Sequence, residues 1–375
     1  MSTAQLAQFF AGLSESGYRI IGPTVRDDVI ILDEIAGPTD LPVGWTDRQD
    51  AAAYHLERMP NSALFGYVVG PQSWKKYLYP PRLELWQAAR NKRAFELKQK
   101  QPEPPKLAFV GVRPCELAAI EILDRVLTGG EFSDEYYRRQ RENTFIIAVN
   151  CTEPGGTCFC ASMGTGPRAR HGYDIVLTEV VDDSGHRLLV DTGSEAGLSA
   201  MSKLTAERAS NEIQSRADEL LSRAAGRMGR SLDTADLREL LYRNIENVYW
   251  DRVGKRCLTC ANCTLVCPTC FCFATEDTTD LEAHRARRER RWDSCFTMDF
   301  SYIHGGSVRP SAKSRYRQWL THKLAAWHDQ FGSSGCVGCG RCITWCPVGI
   351  DITEEVCAIR EHDPAQATVT EESNI

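Results

Sequence analysis

The sequence predicts a mixed fold, in which an α/β (α+β) N-terminal part with a βαβ unit precedes a mainly helical C-terminal domain. Three observations support this prediction. Two apolar runs, LAFVGV at 107–112 and TFIIAV at 144–149, flank a segment with helical periodicity. Residues 203–252 are rich in Ala, Leu, Glu and Arg, which favour helices. Twelve of the 16 cysteines then lie from Cys257 to Cys357, and such bunching is typical of metal sites rather than disulfide frameworks.

The first 105 residues form a predicted α+β N-terminal segment. A helix is expected over Gln5–Leu13, and strands are expected over the β-branched runs YRIIGP (18–23) and DDVIILDEI (27–35). The polar, Pro-rich stretch 98–106 is a natural loop before the next unit. That unit is a predicted α/β domain over 106–200.

The two apolar runs of this second domain are separated by enough chain for a crossover helix, so they predict a βαβ unit with parallel strands. A right-handed crossover places the carboxyl ends of both strands at the same sheet edge. Cys115 and Cys151 each follow one of those ends. We therefore expect these two cysteines to lie close together.

A helical domain is predicted over 201–375. Two or three helices are expected within 203–252, and the cysteine motifs follow them. A long insert, 273–335, separates the two motifs.

Composition and charge exclude several classes of protein. The start, MSTAQLAQFF, lacks the basic segment and apolar core of a secretory signal. No apolar run approaches the roughly 18 residues of a membrane span, so no membrane insertion is expected. The reducing cytoplasm is the expected compartment, and there thiolates stay available as ligands. The net charge of −6 argues against a nucleic-acid partner.

Two segments carry the pattern C-x2-C-x2-C-x3-C-P, namely CLTCANCTLVCP from Cys257 and CVGCGRCITWCP from Cys336. This is the bacterial ferredoxin pattern for [4Fe–4S] clusters, in which the fourth cysteine of each motif ligates the other cluster. The first predicted ligand set is Cys257, Cys260, Cys263 and Cys346. The second predicted ligand set is Cys267, Cys336, Cys339 and Cys342. The pattern thus predicts a ferredoxin-like dicluster domain that passes single electrons and has no catalytic residue.

A zinc ribbon is the alternative, because it also uses C-x2-C pairs. One zinc ion needs four ligands in total, and it has no use for a third and fourth cysteine in each motif.

Four cysteines upstream of the motifs suggest a third cluster. Cys115 and Cys151 are expected to meet at the strand ends, and the loop that starts at Cys151 adds Cys158 and Cys160. Their spacing is not a standard motif, so a zinc site and free thiols near a ligand pocket stay open. The Gly-rich GTGP in the same loop is a weak signal for a flavin phosphate.

Four further cysteines have no motif partner of known spacing, and a buried structural thiol is the expectation for each. These are Cys270, Cys272, Cys295 and Cys357.

The chain resembles the iron–sulfur β subunit of soluble NAD(P)-linked nickel–iron hydrogenases, also called sulfhydrogenases. The electron-transfer subunit of anaerobic sulfite reductase is a near relative of that family. The resemblance rests on GPQSWKKYLYPP, GVRPCELAAI, ENTFIIAVNCTEPGGTCFCASMGTGP, RCLTCANCTLVCPTCFC, RRWDSCF and GCVGCGRCITWCPVGIDI. The long ENTFIIAVNCTEPGGTCFC stretch favours the hydrogenase family.

This resemblance implies a non-catalytic electron conduit in a cytoplasmic hetero-oligomer. Hydrogenase large and small subunits would hold the nickel–iron centre and further clusters, and a subunit with FAD would exchange hydride with NAD(P). The chain would bridge these modules or supply electrons to sulfur compounds. Two alternatives remain, the electron-transfer subunit of an anaerobic sulfite reductase and a stand-alone redox-sensing or zinc-dependent interaction module.

Overall fold

The computed structural model describes residues 1–91, 94–98, 103–183, 185–205, 207–282 and 284–365. Its strands are β1 (Arg19–Arg26), β2 (Val29–Glu34), β3 (Trp45–Asp50), β4 (Ala53–Arg58), β5 (Arg82–Asn91), β6 (Ala94–Lys98), β7 (Leu107–Val112), β8 (Thr144–Val149), β9 (Ile175–Asp182), β10 (Gly185–Thr192), β11 (Phe273–Thr279), β12 (Arg285–Trp292), β13 (Tyr302–Ile303) and β14 (Gly306–Ser307). The predicted loop 98–106 lies partly outside the described residues.

The helices of the described part are α1 (Thr3–Glu15), α2 (Lys75–Leu78), α3 (Pro114–Thr128), α4 (Glu135–Glu142), α5 (Glu195–Met201), α6 (Asn211–Gly226), α7 (Leu237–Arg243), α8 (Tyr249–Arg256), α9 (Asn262–Leu265), α10 (Ala312–Thr321), α11 (Trp327–Phe331), α12 (Arg341–Thr344) and α13 (Ile352–Glu361). Short 3-10 turns occur at Pro38–Asp40 and Asp299–Ser301, and a π-helical turn occurs at His322–Ala326.

The larger sheet has six strands in the order β10-β9-β8-β7-β1-β2. The four central strands run parallel, and β10 and β2 are antiparallel at the two edges. Every residue of β7 and β8 is buried, as expected for central strands covered on both faces. The parallel pair β7–β8 with α3 and α4 between them is the βαβ unit that the sequence predicts. Because β1 pairs with β7, segments 1–105 and 106–200 contribute to one sheet.

The end of β7 is followed almost at once by α3. Arg113 is extended, as the residue before a proline tends to be, and Pro114 occupies the first turn of the helix, where its missing N–H costs nothing. Cys115 therefore lies in the first turn of α3, directly at the carboxyl edge of the sheet.

A second sheet joins distant parts of the chain. Its order is β11-β12-β5-β6, so the hairpin at the start of the insert pairs with strands of the N-terminal segment. The C-terminal part is thus mixed in content, since strands β11–β14 accompany helices α6–α13. The Arg-rich run 285–292 carries no strand pattern, and its pairing with β5 is decided by tertiary contact.

Two buried clusters form most of the core. One surrounds the six-stranded sheet. The other surrounds the two cysteine motifs and contains large aromatic side chains, among them Trp250, Phe296, Tyr316 and Trp319. The π-helical turn packs beside this second cluster and buries Lys323, whose side chain is 3% exposed. Such π-turns often occur at functional sites.

Candidate functional site

The two cysteine motifs adopt matching backbone conformations. Each loop has two residues in the left-handed region, at equivalent positions: Thr259 (φ 52°) and Ala261 (φ 69°) in the first, Gly338 (φ 66°) and Gly340 (φ 74°) in the second. This conformation turns successive N–H groups toward one side of a loop. The N–H of Thr259 donates to Cys257 Sγ at 3.4 Å, and that of Gly338 donates to Cys336 Sγ at 3.5 Å. Both loops therefore direct N–H groups at cysteine sulfur.

The first predicted ligand set lines one cavity. Cys257, Cys260, Cys263 and Cys346 border the same small cavity, so the structure brings together three cysteines of one motif and the last cysteine of the other. The N–H of Ile350 donates to Cys346 Sγ at 3.3 Å. Cys342, which the motif pattern assigns to the second set, also lines this cavity.

Two unpaired donors line the same cavity. Tyr316 Oη and Trp319 Nε1 are buried and have no hydrogen-bond partner among the described residues. Leaving a buried donor unpaired costs about 1–3 kcal/mol, so a hydrogen-bond acceptor is expected inside the cavity. The sulfurs of an iron–sulfur cluster accept hydrogen bonds. The four thiols and the two unpaired donors thus fit a [4Fe–4S] cluster.

The four cysteines of the second predicted ligand set also lie near one another in the fold. The sulfur of Cys267 influences the ionisation of Cys336, Cys339 and Cys342, which requires that the four lie near one another. Burial raises the pKa of Cys336 to about 12.

Lys323 contacts this second set directly. Its Nζ donates to Cys267 Sγ at 3.4 Å, to Thr269 Oγ1 at 3.1 Å and to the carbonyl of Gly335 at 3.1 Å. Burial opposes the charge of this ammonium, but neighbouring cysteine sulfurs, Cys267 foremost, hold the pKa of Lys323 well above its usual range. Lys323 is therefore a cation placed beside sulfur.

The candidate third set lines a separate small cavity. Cys115, Cys151, Cys158 and Cys160 all border it, together with Cys339 of the second motif. The proximity of Cys115 and Cys151 agrees with the expectation from the crossover. Burial raises the pKa of all four thiols, and that of Cys160 rises to about 12.

Three charged residues around this third cavity were not singled out by the sequence analysis. Arg341 Nη2 donates to Glu116 Oε1 at 2.6 Å, and the two side chains are 3% and 1% exposed. Arg113 Nη2 donates to the carbonyls of Phe65 and Tyr67, each at 2.6 Å. The signal in the sequence was an arginine inside the second motif (CGRC) and another directly before Pro114–Cys115.

A buried cation accompanies each of the three sets. Arg315 lies near Cys257, where it favours the thiolate, and its Nη1 donates to the carbonyl of Phe296 at 2.7 Å. Lys323 accompanies the second set, and Arg113 and Arg341 line the third cavity. Buried negative charge is costly unless it is paired. The cations therefore suit clusters whose four thiolates leave them negatively charged, and such sites can pass single electrons.

The four remaining cysteines belong to none of these ligand sets. Cys270, Cys272 and Cys295 are half-buried and line another cavity. The expectation of burial is wrong for Cys357, which is exposed on α13 and donates to Glu361 Oε1 at 3.7 Å. The helix turns this position to solvent, while its neighbours Val356 and Ile359 fill the core.

Within the described ranges, no three side chains of His, Cys, Asp or Glu converge closely enough to hold a single metal ion. A [4Fe–4S] cluster does not require such convergence, because each cysteine binds a different iron. In the same part of the chain, no helix has the length and apolar character needed to cross a membrane.

Comparison with known proteins agrees with this geometry. Residues 256–350, which span both motifs, match the family model of a 4Fe-4S dicluster domain. Sulfhydrogenase 2 subunit beta of Pyrococcus furiosus is 29% identical over 357 residues, which cover 94% of this chain and 96% of that protein. No solved structure matches the chain. The resemblance predicted from the sequence is therefore confirmed, and the chain is an iron–sulfur protein of the electron-transfer kind.

Proposed function

We propose that this chain is the electron-transfer subunit of a soluble nickel–iron hydrogenase complex of the sulfhydrogenase type. It relays electrons between the hydrogenase subunits and a flavin- and NAD(P)-binding subunit. The observation that carries this proposal is the similarity to a sulfhydrogenase β subunit over nearly the whole length of both proteins. FAD and the nickel–iron centre belong to the partner subunits in this proposal, and the complex is cytoplasmic.

Two [4Fe–4S] clusters occupy the motif region in this proposal. Cys257, Cys260, Cys263 and Cys346 bind the first cluster, and Cys267, Cys336, Cys339 and Cys342 bind the second. The shared cavity of the first four thiols and the electrostatic influence of the second four on one another support these assignments. When bound, the clusters supply one-electron redox chemistry.

A third cluster on Cys115, Cys151, Cys158 and Cys160 extends this electron path. The loop that carries Cys158 and Cys160 packs directly on the second motif, since the N–H of Phe159 donates to the carbonyl of Gly338 at 2.8 Å. A β-carbon at Gly338 would lie 2.6 Å from the nitrogen of Cys160. Such close packing supports electron exchange between the second and third sites.

The chain's own residues stabilise the negative charge of these clusters. The Lys323 ammonium donates to Cys267 Sγ at 3.4 Å, and the N–H groups of Thr259, Gly338 and Ile350 donate to other ligand sulfurs. Hydrogen bonds to sulfur and nearby positive charge make a cluster easier to reduce. These residues thus set how readily each site accepts an electron.

Purification of the native complex tests the proposed role. We expect nickel and flavin on chains that copurify with this one, and hydrogen-dependent reduction of NAD(P) by the complex. A sirohaem-containing partner in place of nickel would refute the proposal and indicate a sulfite reductase instead. A monomer that contains zinc and no acid-labile sulfide would refute the electron-transfer role altogether.

Iron analysis of the chain tests the number of clusters. Two clusters correspond to about eight irons per chain and three clusters to about twelve. Replacing Cys158 and Cys160 together by Ser should remove about four irons if the third cluster exists. The matched control is Cys357→Ser, which alters an exposed cysteine outside all three sets and should leave the iron content unchanged. An unchanged count in the double variant would refute the third cluster.

A further inference from the structure

A cavity next to the second ligand set contains three cysteines that no proposed cluster uses. Cys270, Cys272 and Cys295 line a cavity of about 660 Å³. Phe273 and Phe300, which also line it, are 47% and 37% exposed, so the cavity opens to solvent. The three cysteines are themselves only partly exposed.

Cys272 and Cys295 are held as a pair by the ends of two strands. Phe273 of β11 pairs with Trp292 of β12, and the N–H of Asp293 donates to the carbonyl of Cys272 at 2.9 Å. Beyond this last ladder bond, Cys295 follows Asp293 by two residues, and its backbone N–H and thiol lie close enough to the Cys272 sulfur to lower the pKa of that thiol. The strand ends thus bring the two cysteines together on the wall of one cavity, and such proximity is what a disulfide requires.

The same cavity is connected to the second ligand set. The thiol of Cys270 donates a hydrogen bond to the sulfur of Cys267. Lys323, whose Nζ contacts Cys267 Sγ at 3.4 Å, is also part of the cavity wall. Lys323 therefore belongs both to the wall that contains the thiol pair and to the surroundings of the candidate ligand Cys267.

The wall of the cavity combines positive charge with aromatic surface. Arg309 and Lys323 are its cationic side chains, and Trp319 and Trp327 are among its aromatic ones. Such a wall favours a small ligand that carries negative charge and some apolar surface.

We propose that Cys272 and Cys295 form a redox-active dithiol/disulfide centre that reduces small anionic disulfides with electrons from the second cluster. The electron donor in this step rests on the proposed function, whereas the thiol pair itself does not. The pKa of the Cys272 thiol is lowered to about 7, chiefly by the hydrogen bond from Cys295, which agrees with an attacking role for this sulfur.

The reaction balances in atoms and electrons. The Cys272 thiolate attacks one sulfur of a bound disulfide RSSR, a mixed disulfide forms, and RS⁻ leaves. The Cys295 thiolate then attacks Cys272, so that the Cys272–Cys295 disulfide forms and the second RS⁻ leaves. Two successive one-electron transfers from the second cluster, which would be reduced again between them, and two protons from solvent would return the pair to two thiols. The sum is RSSR + 2 e⁻ + 2 H⁺ → 2 RSH.

Anaerobic alkylation of the full chain with its clusters loaded tests the pair. After mild oxidation, peptide mass spectrometry should find Cys272 joined to Cys295 and neither cysteine alkylated. After cluster reduction, both cysteines should be alkylated. Failure to find the joined peptide under any condition would overturn the proposal. This readout needs no partner protein, so it is independent of whether the chain serves a hydrogenase.

Reoxidation of the reduced chain by glutathione disulfide, the anionic probe, tests the reaction. The cluster absorbance should recover, and Cys272→Ser and Cys295→Ser should each slow this recovery by at least about tenfold, because a serine hydroxyl cannot form a disulfide. Cys357→Ser is the matched control and should recover at the unaltered rate. Equal rates in all variants would overturn the proposal.

Two further measurements separate this proposal from its alternatives. Iron content should be unchanged in Cys272→Ser and Cys295→Ser, and a loss of iron in either would overturn the proposal by making that cysteine a cluster ligand. Arg309→Ala should slow reoxidation by glutathione disulfide more than reoxidation by the neutral 2-hydroxyethyl disulfide. If the variant slowed reoxidation by both probes equally, the assignment of anionic substrates would be overturned. Absence of clusters from the unaltered chain would instead refute the proposed function.

Discussion

Replacing Gly340 by Ala tests how closely the second cysteine loop packs on the loop of the third site. Gly340 has a φ of 74°, and an added β-carbon would lie 2.4 Å from the carbonyl oxygen of Thr157. Thr157 is fully buried, and its hydroxyl lies 2.7 Å from that of Thr344. The backbone at Thr157 therefore has little freedom to move away from the new methyl group.

Two costs add in this variant. A left-handed backbone costs a residue with a side chain about 1–2 kcal/mol relative to glycine. Forcing a methyl group into a packed interior costs about 1–3 kcal/mol. We therefore expect Gly340→Ala to lose about 2–5 kcal/mol of folding free energy. With a slope of about 3 kcal/mol per molar urea, the midpoint for loss of cluster absorbance should fall by about 1–2 M.

The first motif offers a matched control. Ala261 occupies the equivalent position with a φ of 69° and already has a β-carbon. Ala261→Gly should therefore keep the urea midpoint or raise it slightly, because it relieves left-handed strain without filling any space. If Gly340→Ala kept both the midpoint and the iron content of the unaltered chain, the close packing of the two loops would be wrong.

Three further predictions concern buried charge and thiol reactivity. Glu116→Gln should lower the free energy of unfolding by about 3–5 kcal/mol, because it leaves the guanidinium of Arg341 buried without its carboxylate. The same urea assay measures this, and an unchanged midpoint would contradict it. Lys323→Met should lower the reduction potential of the second cluster, because the ammonium beside Cys267 stabilises an added electron. The shift is about 60 mV for each 1.4 kcal/mol of stabilisation lost. A redox titration followed by electron paramagnetic resonance measures it, and an equal potential in both proteins would refute the prediction. Iodoacetamide should alkylate Cys272 of the reduced chain faster as the pH rises through about 7, because the pKa of the Cys272 thiol is lowered to about 7 and only the thiolate reacts. An increase in the alkylation rate only near the ordinary thiol pKa of about 8.5 would contradict the lowered pKa.

The features that depend on local sequence could be predicted well. The motif spacing from Cys257 and from Cys336 already assigned eight ligands to two sets, and the structure gathers Cys346 with the first motif and Cys267 with the second. The apolar runs 107–112 and 144–149 predicted parallel strands that are observed. The strand prediction is confirmed because a strand–helix–strand connection strongly restricts local geometry, whereas the eight ligand assignments stay predictions that rest on short-range spacing.

The features that depend on distant contacts could not be predicted. The Arg-rich run 285–292 is a strand because β5, from the N-terminal segment, pairs with it. The sequence suggests that Lys323 is an exposed lysine on a surface helix, but the π-helical turn buries it against Cys267. Cys357 was expected to be buried with the other unassigned cysteines, but it faces solvent.

The sequence by itself determined the class of this protein, because cysteine spacing encodes the ligand geometry of an iron–sulfur cluster within a few residues of chain. Only the tertiary structure decided what surrounds those ligands. It placed Arg113, Arg341 and Lys323 as buried cations, packed the loop of Cys158 and Cys160 on the second motif, and brought Cys272 and Cys295 to one cavity at the ends of two strands. Burial and pairing between distant segments depend on the whole fold, and no local pattern of residues records them.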